Sequence, residues 1–290
     1  MSPTADLSVG NPVNMNQQTL QCTDVHQVAW KCLMQSDPSS KCAQTHAAQH
    51  AWQQGQLQPS EQSPAVQRVM QPGRPPKPLL VPPGQVAKRG YHTLQQRAAL
   101  LHALAHIEFN AINLAWDAVY RFRGLPSAFY RDWIAVANDE ARHFAMLHAH
   151  LQQLGYGYGD FTAHNGLWEM AVSTDADLVA RMALVPRVLE ARGLDVTPAI
   201  EKRLRQAADA AAADILATIR REEVVHVAVG TRWFHYGCKQ QQLDPHTTFL
   251  ALVRKHMPTI FEQQQTFDRQ ARLQAGFTCE ELDALSGQTK

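Results

Sequence analysis

Two short motifs pair a carboxylate with an imidazole at a spacing that a helix turns into one face: Glu140-Ala-Arg-His143 and Glu223-Val-Val-His226. Side chains three residues apart lie one turn apart on a helix surface, so each pair can grip one metal ion. Two further glutamates keep step with them. Glu108 lies 32 residues before Glu140, and Glu190 lies 33 before Glu223. The chain thus repeats Glu … Glu-x-x-His twice, offering four carboxylates and two imidazoles, the donor set that two adjacent ions need. With eleven glutamates and fourteen histidines in 290 residues, chance supplies about half an E-x-x-H. Two copies at matching separations are a much stronger signal than one.

The elements that must position these residues read as helices. Long helices are expected from about Thr93 to Phe122, Ser127 to Leu154, Asp175 to Arg192 and Asp209 to Lys239, bounded by cap, glycine and proline signals. Gly193 is expected to close the third, with a short helix after Thr197-Pro198, and Pro245–His256 and Cys279–Leu285 are expected to be short helices. Each long helix carries one apolar stripe at alternating spacings of three and four, and each stripe is interrupted by one glutamate. The plain alternative makes these glutamates surface residues on amphipathic helices. Against it, four carboxylates converging in a core without a cation would repel one another and suffer heavy desolvation. A second carboxylate precedes each motif glutamate: Asp139 before Glu140 and Glu222 before Glu223. Pointing toward the neighbouring helix, Asp139 is expected to accept the free N–H of His226, and Glu222 that of His143, fixing each imidazole tautomer.

The rest of the chain is consistent with an all-α protein. Residues 1–20 are polar and expected to be disordered, and helices are expected between Cys22 and Trp52 with a break at Asp37-Pro38. Gln53 to Gly90 holds eight of the sixteen prolines, which predicts an extended arm. The organisation expected is therefore 1–20, a 21–92 region of N-terminal helices and Pro-rich arm, a 93–240 bundle of four long helices, and 241–290 with C-terminal helices. Lys+Arg and Asp+Glu nearly balance at 27 and 26, which disfavours a basic nucleic-acid scaffold. No apolar run approaches the roughly 18 residues of a spanning helix, and no signal pattern opens the chain; a soluble, cytoplasmic protein is expected. Five cysteines without a C-x-x-C pair suggest neither a disulfide framework nor a thiolate zinc site.

The set Glu108, Asp139-Glu140-Ala-Arg-His143, Glu190, Glu222-Glu223-Val-Val-His226 resembles the ligand pattern of the ferritin-like superfamily of di-iron carboxylate proteins. His102-Ala-Leu-Ala-His-Ile-Glu108, Ala-Leu-Val-Pro-Arg-Val-Leu-Glu-Ala-Arg-Gly-Leu-Asp (183–195) and Gly230-Thr-Arg-Trp-Phe234 also resemble a bacterial family of unknown function within it. The resemblance covers about Cys22 to Met257 and implies a ferritin-like four-helix bundle, extended here by N-terminal helices and the arm. It implies metal ligation by Glu108, Glu140, His143, Glu190, Glu223 and His226, with Asp139 and Glu222 behind them. The cofactor it implies is a pair of Fe ions, with Mn or mixed Mn/Fe as the alternative. The chain departs from some relatives. It lacks the four-cysteine site and extra carboxylate of a rubrerythrin-like peroxidase. Its nearest same-helix tyrosines, Tyr130 and Tyr236, lie ten residues from a ligand, about 15 Å along the axis, which disfavours a radical subunit. Some 90 residues before the first bundle helix disfavour a storage cage.

The function expected is an O₂-activating oxidoreductase that hydroxylates or oxidises a small molecule or a modified group on a larger one; an electron donor and a homodimer are the partners considered. A dimanganese catalase, a hydroxylase of a modified tRNA base, and a non-enzymatic metal-binding bundle are the alternatives. Small residues one turn from the ligands (Ala111, Ala137, Ala183 and Gly230) are expected either to leave a pocket or to allow close helix packing. The loop Gly155–Trp168 is expected to be a lid or a surface loop pinned by its aromatics. His102 and His106 lie near Glu108 in sequence but off its face, and are expected to play structural parts.

Overall fold

Asp24, Asp37, Thr93, Asp177, Asp209, Asp244, Asp268 and Thr278 each accept a hydrogen bond from a first-turn amide, so eight helices begin where a side chain satisfies an orphan donor. The computed structural model describes residues 24–261 and 266–287, so the expectation for residues 1–20 lies outside the described residues. In chain order the helices are α1 (Val25–Met34), α2 (Pro38–Gln53), α3 (Leu94–Arg121), α4 (Ser127–Gln153), α5 (Gly166–Ser173), α6 (Leu178–Leu184), α7 (Ala191–Gln206), α8 (Ala210–Gln240), α9 (Pro245–His256), α10 (Arg269–Gln274) and α11 (Cys279–Leu285). Among the described residues there is no strand; two isolated bridges pair Asp24 with Gln58 and Leu80 with Ala163. None of these helices is long and apolar enough to cross a membrane.

Burial sets the layers. α3 is buried on nearly every side from Ala98 to Tyr120, which makes it the central helix rather than a surface one. It packs along α4, while α8 packs on α6 and α7 and closes against α4. α1 covers α3, and α2 covers α4. Lys41 joins these layers: its buried ammonium donates to Cys32 O at 2.7 Å, Leu33 O at 2.9 Å and Asn113 Oδ1 at 2.6 Å. It thereby satisfies carbonyls at the end of α1 that the helix leaves unpaired.

The Pro-rich arm lies on this bundle. Gly73 N donates to Leu33 O at 3.0 Å, and a Cβ at Gly73 would come within 2.2 Å of the Met34 carbonyl, so only glycine permits the contact. Further along, Trp168 Nε1 donates to Met70 O at 3.1 Å. Val81 N donates to Ala163 O at 2.8 Å, and Ala163 N to Leu79 O at 3.0 Å. The arm is thus tied both to α1 and to the loop before α5.

The third long helix departs from the sequence expectation. It does not stop at Gly193: α6 passes into a π-turn, Val185–Glu190, and α7 then runs on through Gly193 and Pro198 to Gln206. Pro186 has no amide to give the helix ladder, and the wider turn absorbs its ring. Beyond it, the buried Leu194, Thr197 and Leu204 supply an apolar face that packs against α8. Tertiary burial outweighs a lone glycine signal. Gly230 on α8 is where Pro186 fits: a Cβ there would sit 2.3 Å from the proline ring. Of the two alternatives at Gly230, a pocket or close helix packing, the structure shows close packing.

Candidate metal centre

α3, α4 and α8 and the π-turn each bring one glutamate of the repeat to the middle of the bundle. Glu140 is 1% exposed and His143 0%, with Glu108, Glu223 and His226 also buried. One potential ligand atom each from Glu108, Glu140, His143 and Glu223 lies within 4.8 Å of all the others. His226 joins them from α8, its Nδ1 2.9 Å from Glu140 Oε1 and 3.2 Å from Glu223 Oε1. On the other side His143 Nδ1 lies 3.3 Å from Glu108 Oε2, 3.4 Å from Glu140 Oε2 and 3.7 Å from Glu223 Oε1. Glu140 therefore presents one oxygen to each imidazole, and Glu223 Oε1 lies between the two rings, whose centroids are 5.7 Å apart.

The outward ring nitrogens are held by the carboxylates that precede the motif glutamates. His143 Nε2 donates to Glu222 Oε2 at 2.8 Å, and His226 Nε2 to Asp139 Oδ2 at 3.4 Å. Each partner sits on the helix opposite its histidine. Arg142 then spans both carboxylates, 3.2 Å from Asp139 Oδ1 and 2.5 Å from Glu222 Oε2. A proton fixed on Nε2 leaves Nδ1 as the ring nitrogen that faces the cluster.

Glu190 stands differently. It keeps some surface exposed, yet its Oε2 is buried and without a hydrogen-bond partner. It lies outside the group that converges within 4.8 Å, although the charges of Glu223, Glu140 and Glu108 act on it.

The electrostatics are those of crowded carboxylates. Burial, then the Glu140 charge, pushes the Glu108 carboxyl up to about 8. Burial, then Glu223 and Glu140, raises Glu190 well above the usual carboxylate range. Burial also works to raise Glu140, and Glu223 adds to it, but the two imidazoles prevail and hold that carboxyl low. Burial opposes protonation of His143, but Glu108 and Glu140 overcome it and raise the ring to about 11. Carboxylates raise His226 against its burial in the same way. Without a cation the cluster is balanced by protons.

Glu140 Oε2, His143 Nδ1 and Glu190 Oε2 are buried without a hydrogen-bond partner. Inward-facing orphan atoms of carboxylate and imidazole type fit a divalent metal pair of the carboxylate and imidazole class.

Around this core the structure places residues that spacing did not single out. Tyr158, from the loop before α5, packs on Phe109 and Phe144 at 5.4 and 5.1 Å between centroids; these phenylalanines directly follow Glu108 and His143. Its hydroxyl donates to His106 Nδ1 at 2.9 Å, while Gly159 N donates to His102 Nε2 at 2.9 Å. His102 and His106 thus anchor the loop. A tyrosine fifteen or more residues from any ligand carries no periodic signal. Arg187, inside the π-turn, was equally silent, because a charge on a helix reads as surface.

The fold and the cluster define an all-helical protein with a buried carboxylate and histidine centre. The chain belongs to the family described as Protein of unknown function (DUF455), whose profile matches residues 34–283. It is 50% identical over 216 residues to an uncharacterized protein of Haemophilus influenzae, a match spanning 72% of this chain and 74% of that one. No solved structure matches the chain.

Proposed function

We propose that the chain is a dinuclear metal oxidoreductase of the ferritin-like, four-helix-bundle class, holding two iron ions and using O₂ to hydroxylate or oxidise a small molecule or a modified group. The observation that carries this reading is the pair of imidazoles, each with Nε2 tied to a carboxylate on another helix and Nδ1 turned toward shared glutamates. Glu108 and His143 would hold one ion, Glu190 and His226 the other, with Glu140 and Glu223 between them. When bound, an iron pair supplies electrons for reducing O₂.

The chain's own residues prepare the site. Asp139 and Glu222 keep a proton on each Nε2, so Nδ1 is the nitrogen left to ligate, and it would give up its own proton as an ion enters. Arg142 holds those two carboxylates in a fixed relation across α4 and α8. The buried α3 and α4 wall excludes water from Glu108, Glu140 and His143. Of the four glutamates of the repeat, Glu190 is the one that keeps some surface exposed.

Anaerobic loading with Fe(II), followed by air under an optical probe and an oxygen electrode, tests the reading. Two irons per chain and O₂ uptake matched to iron oxidation are expected. Two irons inert to O₂ would make the site structural, and peroxide disproportionation by the chain loaded with Mn(II) instead would make it catalase-like.

A further inference from the structure

Arg187 belongs to the same π-turn as Glu190, and it is completely buried. Its guanidinium lies over three rings, 4.1 Å from the centroid of Phe249, 4.6 Å from Phe277 and 4.7 Å from Phe234. One nitrogen, Nη2, donates to both oxygens of Glu281, at 2.9 and 2.8 Å. Glu281 is itself fixed, since its Oε2 also accepts from Thr278 N at 2.9 Å in the capping box of α11. A charge pair at 0% and 1% exposure is expensive to assemble, and removing one member leaves an uncompensated ion. Nothing in packing alone asks for a cation at this point of a helix.

The local backbone suggests what the pair does. A π-turn is a rare departure from the α ladder, kept where outside contacts over-determine it. Two such contacts act on Val185–Glu190. The Pro186 ring presses into the space left by Gly230, and Arg187 is held in the ring cage. If the turn relaxed to α geometry by losing its extra residue, the residues at its end would rotate by about 100° around the axis. Glu190 is the last residue of the turn.

We propose that Arg187 and Glu281 are positioning residues: the caged pair holds the π-turn open and so aims Glu190 at the cluster. The inference rests on the reading of that cluster as a two-ion site. It gives the C-terminal helices a part in metal binding, although they supply no ligand. A second clasp shares a ring with the cage: Arg272 donates to Asp195 at 3.0 and 2.6 Å, joining α10 to α7, and lies 5.0 Å from Phe277. The pair Arg220 and Glu201, 2.9 Å apart, joins α8 to α7 without any cage residue and offers the control.

The test is an anaerobic Fe(II) titration of the full chain, with a chelator competing for each ion, alongside thermal melts. Glu281→Gln is expected to keep one ion near wild-type affinity and to weaken the other at least tenfold, as Glu190→Gln does. Arg187→Lys keeps a cation in the cage and protects folding; it is expected to weaken the same ion by a smaller factor. Glu201→Gln is expected to lower the melting temperature while both ions bind as in wild type. If Glu281→Gln and Arg187→Lys melt early yet bind both ions with wild-type affinity, the pair is only structural and the proposal falls. A wild-type chain that takes up no iron overturns the two-ion reading itself, and the positioning role with it.

Discussion

The two halves of the centre share a sequence pattern but not a structure. In the first, Glu108 sits on the uninterrupted 28-residue helix α3 and reaches His143 Nδ1 at 3.3 Å. In the second, Glu190 ends a π-turn, keeps its Oε2 unpartnered and is partly exposed. The same donors are thus presented once by a rigid, buried wall and once by a segment that needs outside support. A repeat in sequence specifies which donors are present, while packing decides how firmly each is held.

The largest effect should come from the residue both halves share. Glu140 lies between His143 and His226, so Glu140→Ala is expected to abolish binding of both ions, read as metal per chain after gel filtration. Retention of one ion would show that the halves are independent.

Gly230→Ala attacks only the second half. The added carbon would meet the Pro186 ring at 2.3 Å, an overpacking that costs about 1–3 kcal/mol. A chemical denaturation curve should show that loss together with a weakened second ion.

The outer carboxylates sharpen the contrast further. Glu222 holds His143 at 2.8 Å, whereas Asp139 meets His226 at 3.4 Å. Removing such a partner lowers metal affinity about 10–100-fold. Glu222→Ala is expected near the upper end and Asp139→Ala near the lower, by chelator competition; equal losses would erase the difference between the halves.

The smallest effects fall on the loop anchored to α3. Burial lowers both His102 and His106 to about 4, from an ordinary value of 6.5. Both rings accept a hydrogen bond through an unprotonated nitrogen. Between those values the unfolded chain binds more protons than the folded one. Stability from these rings is therefore fully present above about 6.5 and is lost as pH falls toward about 4. Tyr158→Phe removes one of the bonds and should cost about 1 kcal/mol. Its effect on melting should shrink as the pH falls from 7 to 4, because the bond it deletes is already failing in the parent.

Much of the helical order could be read from the chain. Thr93, Asp209 and Asp244 cap helices at or beside the expected starts, and α3, α4 and α8 end within a residue or so of expectation. The phase of Glu108, Glu140 and Glu223 with their apolar stripes also brought them to one place, because a straight helix preserves phase. The third helix was misread for the converse reason. A π-turn shifts phase without a composition signal, and Gly193, which reads as a stop, lies in the continuing α7. The arm's seat was unreadable as well, since proline-rich chain has no periodicity and is placed by single contacts such as Gly73 with Leu33. Arg187 and Tyr158 are set by long-range packing, which spacing within one helix cannot report.

The central claim is most directly tested by the metal content of the chain, measured by elemental analysis after anaerobic Fe(II) loading and desalting, beside Glu140→Ala. Two irons per chain in the parent and none in the variant are predicted. Less than one iron in the parent, or equal iron in both, would contradict the account.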